Sequence, residues 1–222
     1  MSVITISRDF GSEGDYVAEK SARALGYHLV DKEFFSTVLR QYGLVDFERE
    51  YDDLPSFFER LDPHRYPDRD EAVDMFNRVV RAVAQHGNAV ILGRSGFELL
   101  QGYSGIVHVR LQAPVHVRIT RVMAEMKIPF EQAEEVVKGK DRVHAAFVEE
   151  YYSIPWDAVH AFDLVVNTGK ISPDLATTWL VAAVRALSVI PEPDKPTTSS
   201  IEVDITLRTV VSDALKCKST HG

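Results

Sequence analysis

Two rhythms of apolar and polar residues alternate along the chain. Val3, Ile4, Thr5, Ile6 and Ser7 form a β-branched run with the composition of a buried strand. A turn bearing Gly11 and Gly14 follows, and from about Asp15 the residues Val17, Ala18, Ala22 and Leu25 recur on one helical face. The same succession repeats down the chain. A short strand over 27–30 precedes a helix over 32–41, whose buried side is Phe34, Phe35, Val38 and Leu39 and which Gly43 closes. A helix over 70–85 places Val73, Phe76, Val79, Val80 and Val83 together, and the continuous apolar run Ala89, Val90, Ile91, Leu92 reads as a central parallel strand covered on both faces. A strand over 106–111 leads through Pro114 into a helix carrying Val117, Ile119, Val122 and Met126. A long helix over 131–151 follows, then a strand over 162–167. Ser172, Pro173 and Asp174 open a last core helix with a cap and a first-turn proline. Five strand-then-helix units without an internal sequence repeat predict an α/β domain, a five-stranded parallel sheet with helices on both faces.

Two stretches break the rhythm. Residues 44–75 are polar and interrupted by Pro55, Pro63 and Pro67, with short helical pieces expected over 47–51 and 56–61. Tyr51, Phe57, Phe58 and Tyr66 lie within them, placed either to line a pocket or to pack locally. Residues 189–200 include the Pro-rich run PEPDKPTTSS and read as a linker. Beyond it, Ile201, Val203, Ile205 and Leu207 alternate with polar residues, which predicts a half-buried strand, and 209–216 suits a short helix. This C-terminal strand and helix, 201–222, is expected as a tail that packs on the core or meets a partner, including a second copy of the chain.

Composition narrows the class. With 45% hydrophobic and 26% charged residues, 222 residues suit one globular domain with an appendage. No run approaches the ~18 apolar residues of a membrane span, the start MSVITIS lacks a basic segment and a long apolar stretch, and the one cysteine, Cys217, offers no disulfide framework. The expectation is a cytoplasmic protein that binds neither membrane nor nucleic acid, since the net charge of −8 opposes both. The charge is unevenly spread. Arg110, Arg118, Arg121, Lys127, Lys138, Lys140 and Arg142 concentrate cations in one part of the chain, while acidic residues gather between Asp46 and Asp74. Such a concentration can serve an anionic small molecule.

The candidate chemistry lies at the ends of the strands. A strand, a Gly-bearing turn and a helix make a phosphate-binding layout, because glycine lets backbone approach the anion and the helix start supplies N–H groups. The pattern G-x-x-x-x-G-K-[ST] is not met: Asp15 and Tyr16 stand after Gly14. A phosphate site and an ordinary strand-to-helix turn both fit. Asp31 ends the second strand, pointing into the crevice of an α/β sheet or capping the next helix. Gly93 and Arg94 end the third strand, and a guanidinium there offers a planar fork of donors. The helical cations are either a solvated face or a hinged lid over phosphates.

In the order and spacing of these motifs the chain resembles the cytidylate-kinase-like family of P-loop nucleoside monophosphate kinases, over about residues 1–188. Ser7-Arg8-Asp9 with Gly11-Ser12 is similar to that branch's opening, Tyr27 to Lys32 to its second strand, and Gly93-Arg94 to its substrate-holding strand end. Leu111 to Met123, with Arg118, resembles the passage before the lid, Lys140-Asp141 the lid helix, and 162–168 the final strand. The resemblance implies a three-layer P-loop kinase fold, with 44–75 as an acceptor-side insertion and 123–152 as a lid-like region. It implies phosphoryl transfer from ATP, with Mg²⁺, to a nucleoside monophosphate such as CMP or dCMP. Phe10, Gly11, Ser12, Glu13, Gly14 and Asp15 would cradle the donor phosphates, helped by Arg8, and Asn167 and Thr168 would lie beside adenine. Asp31, Arg94 and Asp141 would hold the acceptor. Arg118, Arg121, Lys140 and Arg142 would supply charge, with Ser12 as the candidate contact to Mg²⁺. The P-loop Lys has no counterpart here, and the lid carries Lys140 where Arg is expected and Val143 and His144 where another Arg falls. Those departures leave open a nucleotide-binding sensor built on a kinase fold, or a kinase of another small acceptor.

Overall fold

The computed structural model describes residues 2–41, 68–155, 158–187 and 194–219. Five parallel strands form one sheet: β1 (Val3–Arg8), β2 (His28–Val30), β3 (Ala89–Leu92), β4 (Ile106–Gln112) and β5 (Leu164–Asn167). Their order is β2-β3-β1-β4-β5, so β1 sits at the centre with Ile4 opposite Val90 on one side and Val107 on the other. Fully covered strands need apolar residues on both faces, and every residue of β1 from Val3 to Ser7 is buried.

The helices divide between the two faces. On one face, α1 (Gly14–Leu25) and α7 (Pro173–Leu187) bury Val17, Ala18, Leu180 and Val184 against Ile4, Ile6, Leu92 and Val109. On the other, α2 (Lys32–Gln41), α3 (Asp68–His86) and α8 (Ile205–Ser219) join Phe34, Phe35, Leu39, Val79 and Val83 to Val3, Ala89 and Ile91. A short α4 (Gly96–Leu99) follows β3. The pair α5 (Val115–Met126) and α6 (Phe130–Tyr152) builds a smaller cluster from Ile119, Val122, Ala133 and Val137, at the end of the sheet where the lid is expected.

The C-terminal segment departs from the sequence reading. No strand forms over 201–207. Asp204 caps a helix instead, its carboxylate accepting from Leu207 N at 3.0 Å and its carbonyl from Arg208 N at 2.9 Å. Leu207, Val211, Ala214 and Leu215, spaced as one helical face, are at most 2% exposed, whereas Ile205, which alternation would bury, is 78% exposed. The preceding segment is tied down as well: Ser104 N donates to the Pro196 carbonyl, and Gln85 to the Ile201 carbonyl. The tail is part of the main core. Of the expected 44–75 insertion, residues from Asp68 onward belong to α3. The pieces at 47–51 and 56–61, with Tyr51, Phe57, Phe58 and Tyr66, lie outside the described residues.

Candidate active site

The carboxyl ends of β1, β2 and β3 open into a cleft of about 970 Å³ whose far wall is α6. A parallel sheet offers its ligand crevice at this edge. Nine of the expected site residues line it together: Arg8, Phe10, Gly11, Glu13, Gly14, Asp15, Asp31, Arg121 and Lys140. Lys32, Arg40 and His144 line it too.

Arg8 is its organising side chain. A Cβ on Gly14 would fall 2.5 Å from Arg8 Cγ, and one on Gly93 would fall 2.7 Å from Arg8 Nη1. The two glycines therefore form a trench in which the Arg8 stem lies, with its guanidinium reaching from the β1 loop to the end of β3. Glycine at 14 is thus demanded by Arg8 packing, apart from any ligand. Arg8 Nη2 also donates to Asp15 Oδ1 at 3.1 Å, an outward-facing pair with Asp15 largely in solvent.

Asp31 and Arg94 stand beside it. Asp31 does cap α2, accepting from Phe34 N at 2.9 Å, and it also faces the cleft, so its two sequence readings coexist. Arg94 sits on a left-handed turn, with φ of +75° at Gly93, +61° at Arg94 and +50° at Ser95, a conformation that costs non-glycine residues energy. Its guanidinium carbon lies 5.2 Å from the ring centres of both Phe35 and Phe76, a spacing at which cation and ring attract. Burial lowers its pKa to about 9, the charge of Arg8 adds to that, and Asp31 opposes it. At neutral pH it remains a cation held in a poorly hydrated place.

The remaining expected residues hold the loop rather than face the cleft. Ser12 is fully buried and donates its hydroxyl to the Asp9 carbonyl at 2.8 Å. This inward hydrogen bond closes the turn and takes Ser12 away from the position expected of a metal contact. Thr168, 3% exposed, donates to the Ser12 carbonyl at 2.8 Å and accepts from Arg121 Nη1. Arg121 also donates to the carbonyls of Gly11 and Thr168. Arg118 is buried, its guanidinium shared among the carbonyls of Ala113 and Phe10 and both oxygens of Asp141 at 3.0 and 2.8 Å. Asn167 Oδ1 accepts from Gly169 N. Arg142 is exposed and lines a separate chamber of about 460 Å³ with Asp9, Arg110, Arg118 and Asp141. Ser12, Arg94, Arg118, Asp141, Arg142, Asn167 and Thr168 thus stand outside the lining of the main cleft, Arg94 lying behind it against Phe35 and Phe76.

Three features escaped the sequence reading. Arg110, 6% exposed on β4, donates to Ser7 Oγ at 3.0 Å and Asp9 Oδ1 at 2.7 Å. Burial raises the Asp9 pKa in spite of Arg110 and Arg118, as desolvation of a carboxylate does. Period-2 alternation in β4 carried a signal, since Arg110 shares with His108 the face opposite Val109 and Leu111. Lys32 on α2 faces Lys140 on α6, and the Lys140 pKa is lowered by burial and then by Lys32. His144, one turn beyond Lys140, is pushed down to about 4 by burial and by Arg8, Lys140, Arg94 and Arg110. No period or motif in one sequence could show that these groups converge.

Five cations from β1, α2, α5 and α6 line the cleft together with seven carboxylates, of which Asp15 pairs with Arg8, Asp9 with Arg110 and Glu13 with Arg121. Among the described residues no cluster of three or more His, Cys, Asp or Glu side chains is arranged to hold a metal ion. Ser12 is turned inward, and among the described residues the side chains form no acidic or histidine cluster for Mg²⁺.

A central β1, a glycine-bearing loop into α1 and the order β2-β3-β1-β4-β5 define an α/β P-loop kinase fold. The shikimate kinase of Acinetobacter baumannii in complex with shikimate superimposes with a TM-score of 0.51 at 13% identity, over 86% of this chain and 96% of that one. An uncharacterized protein from Eubacterium ventriosum superimposes with a TM-score of 0.66 at 21% identity, over 84% and 99%. The family model of the cytidylate kinase-like family matches residues 3–170, and the chain belongs to that family. A cytidylate kinase of Natronomonas pharaonis is 27% identical over 83% of this chain and 90% of its own length. Among the described residues no helix is long and apolar enough to cross a membrane.

Proposed function

We propose that this chain transfers the γ-phosphoryl group of ATP to a nucleoside monophosphate, with CMP or dCMP as acceptor. The observation that carries the reading is Arg8 in its glycine trench, spanning from the β1 loop to the β3 end beside Arg94. Donor phosphates would lie over the loop from Phe10 to Asp15, and Asp31 and Arg94 would hold the acceptor. An oxygen of the acceptor phosphate attacks the γ-phosphorus, the bond to the β–γ bridging oxygen breaks, and ADP leaves. The attacking oxygen is already ionised, so no general base is required. Catalysis is then positioning and charge, supplied by Arg8, Arg94, Arg121 and Lys140. Mg²⁺ bound to the ATP phosphates would offset their charge and meet the chain through water.

Coupled ADP release with ATP, Mg²⁺ and each common nucleoside monophosphate tests this. CMP-dependent release is expected, and Arg8→Met should lower it at least tenfold, since one cation at a transferring phosphoryl group is worth about 10³ or more in rate in related enzymes. Absence of release with every monophosphate overturns the reading. A second reading, nucleotide binding without turnover, is favoured by Arg118, whose guanidinium is engaged by Asp141 and two carbonyls. Calorimetric binding of ATP without ADP release on any acceptor would select it. ATP binding without CMP binding would select another small acceptor.

A further inference from the structure

α6 presents Lys140 and His144 to the cleft from successive turns. Lys140 is an amine whose pKa is lowered by burial and by Lys32, and His144 is a cation only when protonated. The charges that act on the His144 ring come from four elements: Arg8 on β1, Arg94 at the end of β3, Arg110 on β4 and Lys140 on α6 itself. All are positive. Of the acidic groups in the cleft, Asp15 pairs with Arg8, Asp9 with Arg110 and Glu13 with Arg121, Asp31 acts on Arg94, and Glu19, Glu33 and Glu125 line it from α1, α2 and α5. Lys32 on α2 adds a further cation facing Lys140.

We propose that His144 is a proton-coupled phosphate contact, neutral in the empty cleft and taking up a proton from solvent when a polyphosphate enters, so that the lid gains a cation only when there is an anion to meet it. The inference rests on the polyphosphate site proposed above. Burial and four like charges hold the empty-cleft imidazole neutral, with a pKa near 4. A polyphosphate carries several negative charges into the same group of cations, cancels their repulsion of the ring and offers oxygen acceptors to an imidazolium. An opposite charge within about 4–6 Å favours the protonated form. A fixed cation at 144 would add to the repulsion among Arg8, Arg94, Arg110 and Lys140 when the cleft is empty; a titrating one does not.

The test is calorimetric titration of the full chain with ATP and Mg²⁺ at pH 6.5, in two non-phosphate buffers of contrasting ionisation enthalpy. The wild type should take up at least about half a proton more than His144→Gln on binding. Between pH 7.5 and 6 its affinity should rise at least about twofold more than that of the variant, because proton uptake on binding couples affinity to pH. His144→Arg should bind with no such pH dependence. Should His144→Gln fail to fold, histidine ring resonances of the wild type decide: one ring should titrate near pH 4 alone and at higher pH with ATP. Tight ATP binding with equal proton uptake in wild type and His144→Gln overturns this inference and leaves the nucleotide site standing. Absence of ATP binding overturns both.

Discussion

Truncating Leu215 to alanine measures how far the C-terminal helix belongs to the core. Leu215 is 1% exposed and sits in the cluster that contains Phe34, Phe35, Leu39 and Val83. Removing a leucine side chain from such a place forfeits its transfer free energy and leaves a cavity, together about 2–5 kcal/mol. The control lies ten residues earlier on the same helix: Ile205 is 78% exposed, and Ile205→Ala should stay within about 0.5 kcal/mol of the wild type. Urea unfolding followed by circular dichroism reads both. Leu215→Ala should lower the midpoint with an unchanged slope, which marks a stability loss and not a less compact native state. For a chain of this size the melting temperature should fall by about 5–15 °C. Coincident curves for the two variants would refute the reasoning, because they would mean that α8 can leave without uncovering the α2 and α3 face.

Arg110→Leu should destabilise the fold by about 3–5 kcal/mol, because the Asp9 carboxylate would stay buried without its main partner; adding Asp9→Leu should restore part of the loss, which a double-mutant cycle in urea would show. Stability should also fall as pH drops from about 6.5 towards 4. The folded-state pKa of His144 is about 4, below its ordinary value, so the unfolded chain binds a proton in that window and the folded chain does not. The loss attributable to His144 is at most about 3 kcal/mol. His108, lowered by burial, contributes with the same sign, while Asp9, raised, opposes it at more acid pH. His144→Gln should flatten the unfolding midpoint between pH 6.5 and 4.5, and an unchanged profile would count against a half-buried, neutral His144.

The sheet was legible because β1, β3 and β4 are short β-branched runs bounded by glycine or proline, a pattern that no amphipathic helix shares. The site was legible to the extent that it lies at strand ends, where Asp31 and Arg94 stand next to the apolar runs that place them. What stayed hidden depends on residues far apart in the chain. Thr168, expected at the end of the final strand beside adenine, places its hydroxyl on the Ser12 carbonyl, 156 positions away in the chain. Arg118 and Asp141 are separated by 23 positions and meet only because α5 and α6 fold back on each other. The tail was misread for a local reason. Four alternating apolar residues over 201–207 match a strand, but Asp204 is a helix cap and the longer 207–211–214–215 spacing outweighs the short alternation once α2 and α3 supply an apolar face.

The missing P-loop lysine takes on a different aspect beside Arg8. A lysine following the last glycine approaches the phosphates from the start of the helix. Arg8 approaches the same loop from the end of the strand, and its longer stem must cross the loop backbone to do so. Gly14 leaves room for the Arg8 stem, too close to it to accept a methyl group, and Gly93 lies against the end of its guanidinium. A side chain at 14 would meet the Arg8 stem at its Cβ and Cγ, whereas one at 93 would meet only the guanidinium end, and Gly93 is also required by its φ of +75°. The placement also explains why Arg94 keeps its strained turn. With Arg8 alongside, like charges would drive Arg94 into solvent unless Asp31 and the rings of Phe35 and Phe76 held it. The outcome is two neighbouring guanidinium groups, one from β1 and one after β3, each with a carboxylate acting on it, Asp15 on Arg8 and Asp31 on Arg94.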